Sequence, residues 1–224
     1  MQTYTISQEV KQATNLPISE KAACAGRLFG LTRQQIQNRT TRYCAELNIH
    51  PGDIVYITGP SGAGKSICLR ELEKAVPPGQ RVNLNEMRPP PETAVIDCID
   101  APTIASLKIL SLAGLAETFC ILNNAWKLSE GESYRLRLAL ALAAKKQFVF
   151  ADEFCSSLDR ISASVISWRI RDWAIKTGTT FVLASAHEDI LPDLQPDILV
   201  VIDLTGKIEI HYKTMERKCA AARH

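Results

Sequence analysis

Gly59-Pro60-Ser61-Gly62-Ala63-Gly64-Lys65-Ser66 places three glycines, a lysine and a hydroxyl between the apolar run Ile54 to Ile57 and the amphipathic stretch Ile67 to Val76. The spacing GxxxxGK[ST], after a strand and before a helix, is that of a phosphate-cradling loop, the P-loop. Gly59, Gly62 and Gly64 let the backbone wrap closely so that successive N–H groups point inward, and the helix behind adds its positive N-terminus. Pro60, Ser61 and Ala63 complete the cradle. Lys65 reaches β- and γ-phosphate oxygens and the Ser66 hydroxyl ligates magnesium. The expected ligand is a magnesium-bound nucleoside triphosphate.

Such a loop needs a carboxylate beside the metal, carried on the end of a buried strand. Phe148-Val149-Phe150-Ala151-Asp152-Glu153 has that form. Asp152 ends the apolar run and is expected to face the metal. Glu153, one residue on, is placed to orient or deprotonate a water for attack on the γ-phosphate. Two adjacent acids point to hydrolysis rather than transfer to a bulky acceptor.

The elements that must hold these groups are read from pattern. Tyr43 to Ile49 and Asp53 to Thr58 are strand-like runs joined by His50-Pro51-Gly52. Ile67, Cys68, Leu72, Ala75 and Val76 recur at helical spacing until Pro77-Pro78-Gly79. Strands are expected at Arg81 to Leu84 and Ala94 to Ile99, then a helical hairpin or long helix over Thr103 to Thr118. Leu136 to Leu142 alternates with period two, yet its Leu, Arg and Ala content and the capping box Ser129-x-x-Glu132 predict a helix. A strand at Phe148 to Ala151 is followed by a helix over Arg160 to Lys176 that stops at Gly178. Strands at Phe181 to Ala184 and Ile198 to Ile202 follow, the latter turning at Thr205-Gly206 into an antiparallel partner, Lys207 to His211. Alternating strands and helices predict an α/β fold with a largely parallel sheet.

Residues 1 to about 28 show no clear period and read as an extension, helical around Ser19 to Arg27. The chain has 224 residues, 46% hydrophobic and 22% charged, which suits one α/β domain and disfavours disorder. No apolar run approaches the roughly 20 residues of a membrane-spanning helix, and the first residues lack a signal-peptide pattern. Seven scattered cysteines without a CxxC pair argue against a zinc site or disulfide framework, so a reducing cytoplasm is expected. A net charge of +2 is too small to imply nucleic acid or an anionic membrane as partner.

Three further pieces stand in order around the acidic strand. Leu128-Ser129-Glu130-Gly131-Glu132 precedes its helix, Ser156-Ser157-Leu158-Asp159 follows it, and His187 closes Ala184-Ser185-Ala186-His187. With these, the chain resembles the ATP-binding cassette (ABC) ATPases over about residues 29–212: Walker A, an LSGGQ-like signature, Walker B with its Glu, a D-loop and a switch His. The resemblance implies a P-loop NTPase with a RecA-like core, a helical lobe inserted at about 101–147, an N-terminal extension over 1–28 and a basic tail over 213–224. It also implies ATP and Mg²⁺ as cofactors and a head-to-tail, ATP-dependent homodimer. In that dimer Ser129 and Gly131 meet the γ-phosphate held by the other protomer, Asp159 contacts the opposite P-loop, and His187 bonds the γ-phosphate. Phe29 is placed to stack on adenine, with Tyr43 and Tyr4 as rivals.

The family pattern carries a Gln at the end of the strand entering the lobe; Ala94 to Pro102 has none, and Asp100 is the substitute metal ligand. The signature reads LSEGE, adding carboxylates beside a phosphate site, which weakens anion binding unless they turn away. The stretch between loop and signature is short, which disfavours a membrane permease as partner and favours a soluble role. Within the family the pattern looks most like soluble ATPases of which some are fused to acetyltransferase-like domains. The protein partner is unidentified, and a transporter subunit and a nucleic-acid-linked machine both remain open. A small-molecule P-loop kinase and a nucleotide-gated binding module with little turnover are the alternatives.

Overall fold

The computed structural model describes residues 2–11, 19–30, 32, 40–90 and 92–213. The chain after Lys213, expected as a basic tail, lies outside the described residues. A six-stranded sheet carries the molecule. Its strands are β3 (Ile54–Thr58), β4 (Arg81–Asn83), β5 (Phe148–Ala151), β6 (Thr180–Ala184), β7 (Ile198–Ile202) and β8 (Ile208–Tyr212), ordered β4-β5-β6-β3-β7-β8. All neighbours are parallel except the β7–β8 hairpin.

Parallel strands buried on both faces read as continuous apolar runs, and β3, β5 and β6 are buried throughout. Alternate residues still serve opposite cores: Ile54 and Tyr56 face one cluster, Val55 and Ile57 the other. The first face is covered by α3 (Thr103–Leu112), α5 (Glu130–Ala143) and α6 (Arg160–Thr177), through Leu110, Leu136, Ile166 and Ile170. The second is covered by α2 (Lys65–Ala75), through Cys68, Leu69 and Leu72. A strut fixes α6 to the start of β3: Arg171 donates to buried Asp197 (2.5 Å), whose carboxylate also accepts the Ile54 N–H (3.0 Å).

The N-terminal residues differ from expectation. Gln2–Lys11 form β1, paired antiparallel with β2 (Thr40–Ile49) in a separate two-stranded sheet, before the expected helix α1 (Glu20–Leu28). Among the described side chains of β1, Tyr4 and Ile6 point into the second core. Two inward residues among Thr, Ser and Gln are too weak a period-two signal to read; Leu47 and Tyr43 on β2 complete the face.

Ala94 to Ile99 is not a strand. Val95–Cys98 make a 3₁₀ turn. Val95 and Ile99, four apart, are the buried pair, and the Val95 N–H donates to the Asn123 carbonyl. A strand would set Asp97 on the same face as this pair, yet Asp97 is exposed, whereas a helical turn brings residues four apart together and turns the one between them away. Over Thr103 to Thr118, α3 ends at Leu112, Gly114 sits at φ 84°, and a separate short α4 spans Thr118–Leu122. The alternating Leu136 to Leu142 run is helical, inside α5.

Candidate functional site

The phosphate loop leaves the C-terminal end of β3 at the centre of the sheet, where α/β folds place ligands. Its glycines are dictated by space as well as by φ. A Cβ on Gly59 would overlap the Ile202 carbonyl oxygen, and one on Gly64 would lie 2.5 Å from the Tyr43 ring. Gly64 is also the N-cap of α2, at φ 104°, and brings no side chain to the first-turn N–H groups. An uncapped helix start leaves those donors for an anion. Lys65 is buried, its ammonium donating to the carbonyls of Gly59 (2.8 Å) and Pro60 (3.1 Å), so the charge sits over the loop. Pro60, Ser61 and Gly62 are exposed, Ala63 is buried and Ser66 is half-buried.

This cradle fits a magnesium-bound triphosphate. It offers the uncapped start of α2, a buried cation and the Ser66 hydroxyl, and the Asp152 carboxylate stands at the same end of the sheet, two strands along; both oxygens are of the hard type magnesium prefers.

Asp152 and Glu153 follow β5, and three separate elements clamp the turn they open. Asn85, in the 3₁₀ turn after β4, accepts the Asp152 N–H (2.7 Å) and donates to the Asp152 carbonyl (3.0 Å). The Phe154 N–H donates to the Ala184 carbonyl at the end of β6 (2.9 Å). The Cys155 N–H donates to the Tyr134 hydroxyl on α5 (2.9 Å). Held this way, Glu153 and Cys155 adopt left-handed φ values of 51° and 59°, uncommon outside glycine. The Glu153 side chain is exposed at the rim, and its N–H donates to the Asp152 carboxylate (3.1 Å).

Asn85 escaped the sequence reading because no spacing marks it; its role arises only from strand pairing. Asn85→Ala is expected to lower maximal turnover about tenfold by loosening the acidic turn, with KM for ATP changed less than about twofold. Steady-state kinetics check this, and an unchanged kcat would show that Asn85 does not position the acids.

Ser129 caps α5 in a full capping box: its hydroxyl contacts the Glu132 carboxylate (2.7 Å), which also accepts the Ser129 N–H (2.8 Å). These bonds from Ser129 hold the Glu132 carboxyl below its usual range. One of the two extra signature acids is thus absorbed by the cap, while Glu130 is exposed. Asp159 likewise caps α6, accepting the Ser162 N–H (2.9 Å); the Ser162 side chain and then this N–H lower its carboxyl. Gly131 packs against the D-loop, at distances that would put a Cβ 3.5 Å from Leu158 and 3.7 Å from the Ser157 carbonyl. His187 is exposed, its carbonyl accepting the Tyr56 hydroxyl (2.5 Å). A cleft of about 180 Å³ lies between His187 and the segment Cys155 to Leu158.

Not every expected residue is joined to this centre. Asp100 is exposed, and no hydrogen bond or ion pair among the described residues links it to Ser66 or Asp152. Tyr43 is buried against the P-loop backbone and Tyr4 packs edge-on to Phe148, so neither presents a ring face to a base. Phe29, just past α1, is 83% exposed.

No family model matches the chain. The zinc import ATP-binding protein of Roseobacter denitrificans is 32% identical over 168 residues, covering 67% of this chain and 64% of its own. The lipoprotein-releasing system ATP-binding protein of Shewanella denitrificans is 24% identical over 202 residues, covering 74% and 86%. Among solved structures, a dimeric post-hydrolysis ATP-binding cassette bound to ADP and Pi superimposes with a TM-score of 0.63 at 17% identity, covering 78% of this chain and 92% of that one. The structural likeness shows the fold, and the curated relatives are ATP-binding proteins. The chain is an ATPase of the ATP-binding cassette family.

Proposed function

We propose that two copies of this chain close head to tail over two ATP molecules, each copy supplying the P-loop of one site and the α5 cap of the other. The observation that supports this most is the contact of Gly131 with Ser157 and Leu158. It sets the Ser129 cap beside the Asp159 cap on one exposed surface, while every polar partner of the Ser129 side chain lies in its own cap. A helix start presented outward suits a phosphate brought by a second molecule.

In this reading Lys65 and the loop N–H groups bind the β- and γ-phosphates, and Ser66 and Asp152 hold magnesium, which when bound neutralises charge developing on the phosphate oxygens. Glu153 orients the attacking water and accepts its proton, and His187 steadies that water and the γ-phosphate. Phe29 stacks on adenine. Asp100 takes no part.

The short lobe argued against a permease, but the relatives' roles in zinc import and lipoprotein release support a membrane-protein partner. Exposed Ile104, Phe119, Leu122 and Trp126 give the lobe an apolar surface for it. Among the described residues no helix is long and apolar enough to cross a membrane. The chain itself then works on the cytoplasmic side. Light scattering of Glu153→Gln with and without Mg-ATP tests the dimer. A nucleotide-dependent doubling of mass, lost on Ser129→Arg, is expected. A variant that stays monomeric under both conditions, while the wild type hydrolyses ATP or transfers its phosphate, would refute the shared site and favour the kinase alternative.

A further inference from the structure

Tyr134 is almost fully buried within α5, four residues past its first, and its hydroxyl lies among backbone rather than solvent. A buried tyrosine hydroxyl needs a partner. Here the partner is the Cys155 N–H (2.9 Å), with the Cys155 thiol also in reach (4.0 Å). The ring has no freedom to leave: Arg137 lies over it at 5.8 Å, and its neighbours form the main core.

Cys155 is two residues past Glu153 in the turn whose left-handed residues must be held from outside. Asn85 and the Ala184 carbonyl reach that turn from the sheet, and the Tyr134 hydroxyl reaches it from α5. The same helix presents the Ser129 cap one turn away. One rigid helix therefore touches both the surface offered to a partner's nucleotide and the turn that aims this protomer's own Glu153.

We propose that Tyr134 is a positioning residue that ties Glu153 to the α5 cap, so that a nucleotide captured at the cap sets the water-activating carboxylate of the other site. This rests on the head-to-tail reading. A shift of α5 on meeting the partner's γ-phosphate passes through one hydrogen bond to the Cys155 N–H, and the acidic turn pivots on its other two anchors, Asn85 and the Ala184 carbonyl. The two sites of a dimer are then coupled without any contact between their nucleotides. Such coupling is seen as cooperativity in ATP.

Tyr134→Phe keeps the ring and its packing and removes only the hydroxyl. Its steady-state turnover is measured against ATP concentration beside wild type, with Cys155→Ala as a control that loses the thiol but keeps the N–H. The expected result is a kcat about tenfold lower, a half-saturating ATP concentration within about twofold, and a Hill coefficient falling from above one to one. Cys155→Ala should stay cooperative, and Glu153→Gln/Tyr134→Phe should still dimerise with Mg-ATP. Unchanged kcat and Hill coefficient in Tyr134→Phe overturn the proposal. So does a loss of activity that matches the loss of folded protein, or a Cys155→Ala that behaves the same way. A wild type that hydrolyses ATP without cooperativity or dimerisation instead removes the head-to-tail reading beneath it.

Discussion

Glu153→Gln lowers ATP turnover by about 10²–10⁴-fold at saturating ATP, the range a general base contributes, while nucleotide affinity stays near wild type. The amide keeps the size and the left-handed backbone of the site but accepts no proton. The clamp on this turn acts on main-chain groups of Asp152, Phe154 and Cys155, so the substitution leaves it intact. In the proposed reading phosphate is held elsewhere, by Lys65 and the uncapped start of α2, so binding is expected to survive. A phosphate-release assay paired with nucleotide binding measures both. Turnover within about tenfold of wild type would show that another group activates the water, because a residual rate that high lies outside what loss of a base permits.

Gly64→Ala should remove both stability and nucleotide binding. The new methyl would meet the Cε1 and Cζ atoms of Tyr43 at 2.5 Å, on a ring buried between β2 and the loop, and the backbone sits at φ 104°. Overpacking and a forbidden φ each cost about 1–3 kcal/mol. Together they lower the melting temperature by roughly 4–24 °C for a chain of this size. The loop must shift to relieve the clash, which takes its N–H groups off the phosphates. Gly62→Ala is the control: its φ is 80° but its Cβ would meet open space, so it carries the backbone cost alone. If Gly64→Ala melted no lower than Gly62→Ala, the Tyr43 contact would not be what excludes a side chain there.

Residue order and spacing were enough to place the P-loop between β3 and α2, the acids at the end of β5, the N-cap of α5 and the glycine stop of α6. Each is a local device: glycine spacing, an apolar run ended by carboxylates, a serine three residues before a glutamate. Local devices are legible because the residues that make them are neighbours in the chain. Even the alternating Leu136 to Leu142 run yielded to helix propensity and cap taken together.

What the chain order could not decide was how distant segments meet. β1 was hidden because two inward residues make a strand only when β2 lies alongside. The Ala94 to Ile99 segment looked like a strand until the turn bonded to Asn123 claimed its backbone. Asn85 and Tyr134 lie 67 and 21 residues from their partners, with nothing in either stretch to link them. Tyr43, a candidate for adenine by type, is spent on the packing that makes Gly64 necessary. Sequence thus determined which groups are candidates for the chemistry, since bond-making needs particular atoms at short spacing. Tertiary structure alone decided what aims them, since any element that delivers a donor or acceptor to the right backbone atom will serve.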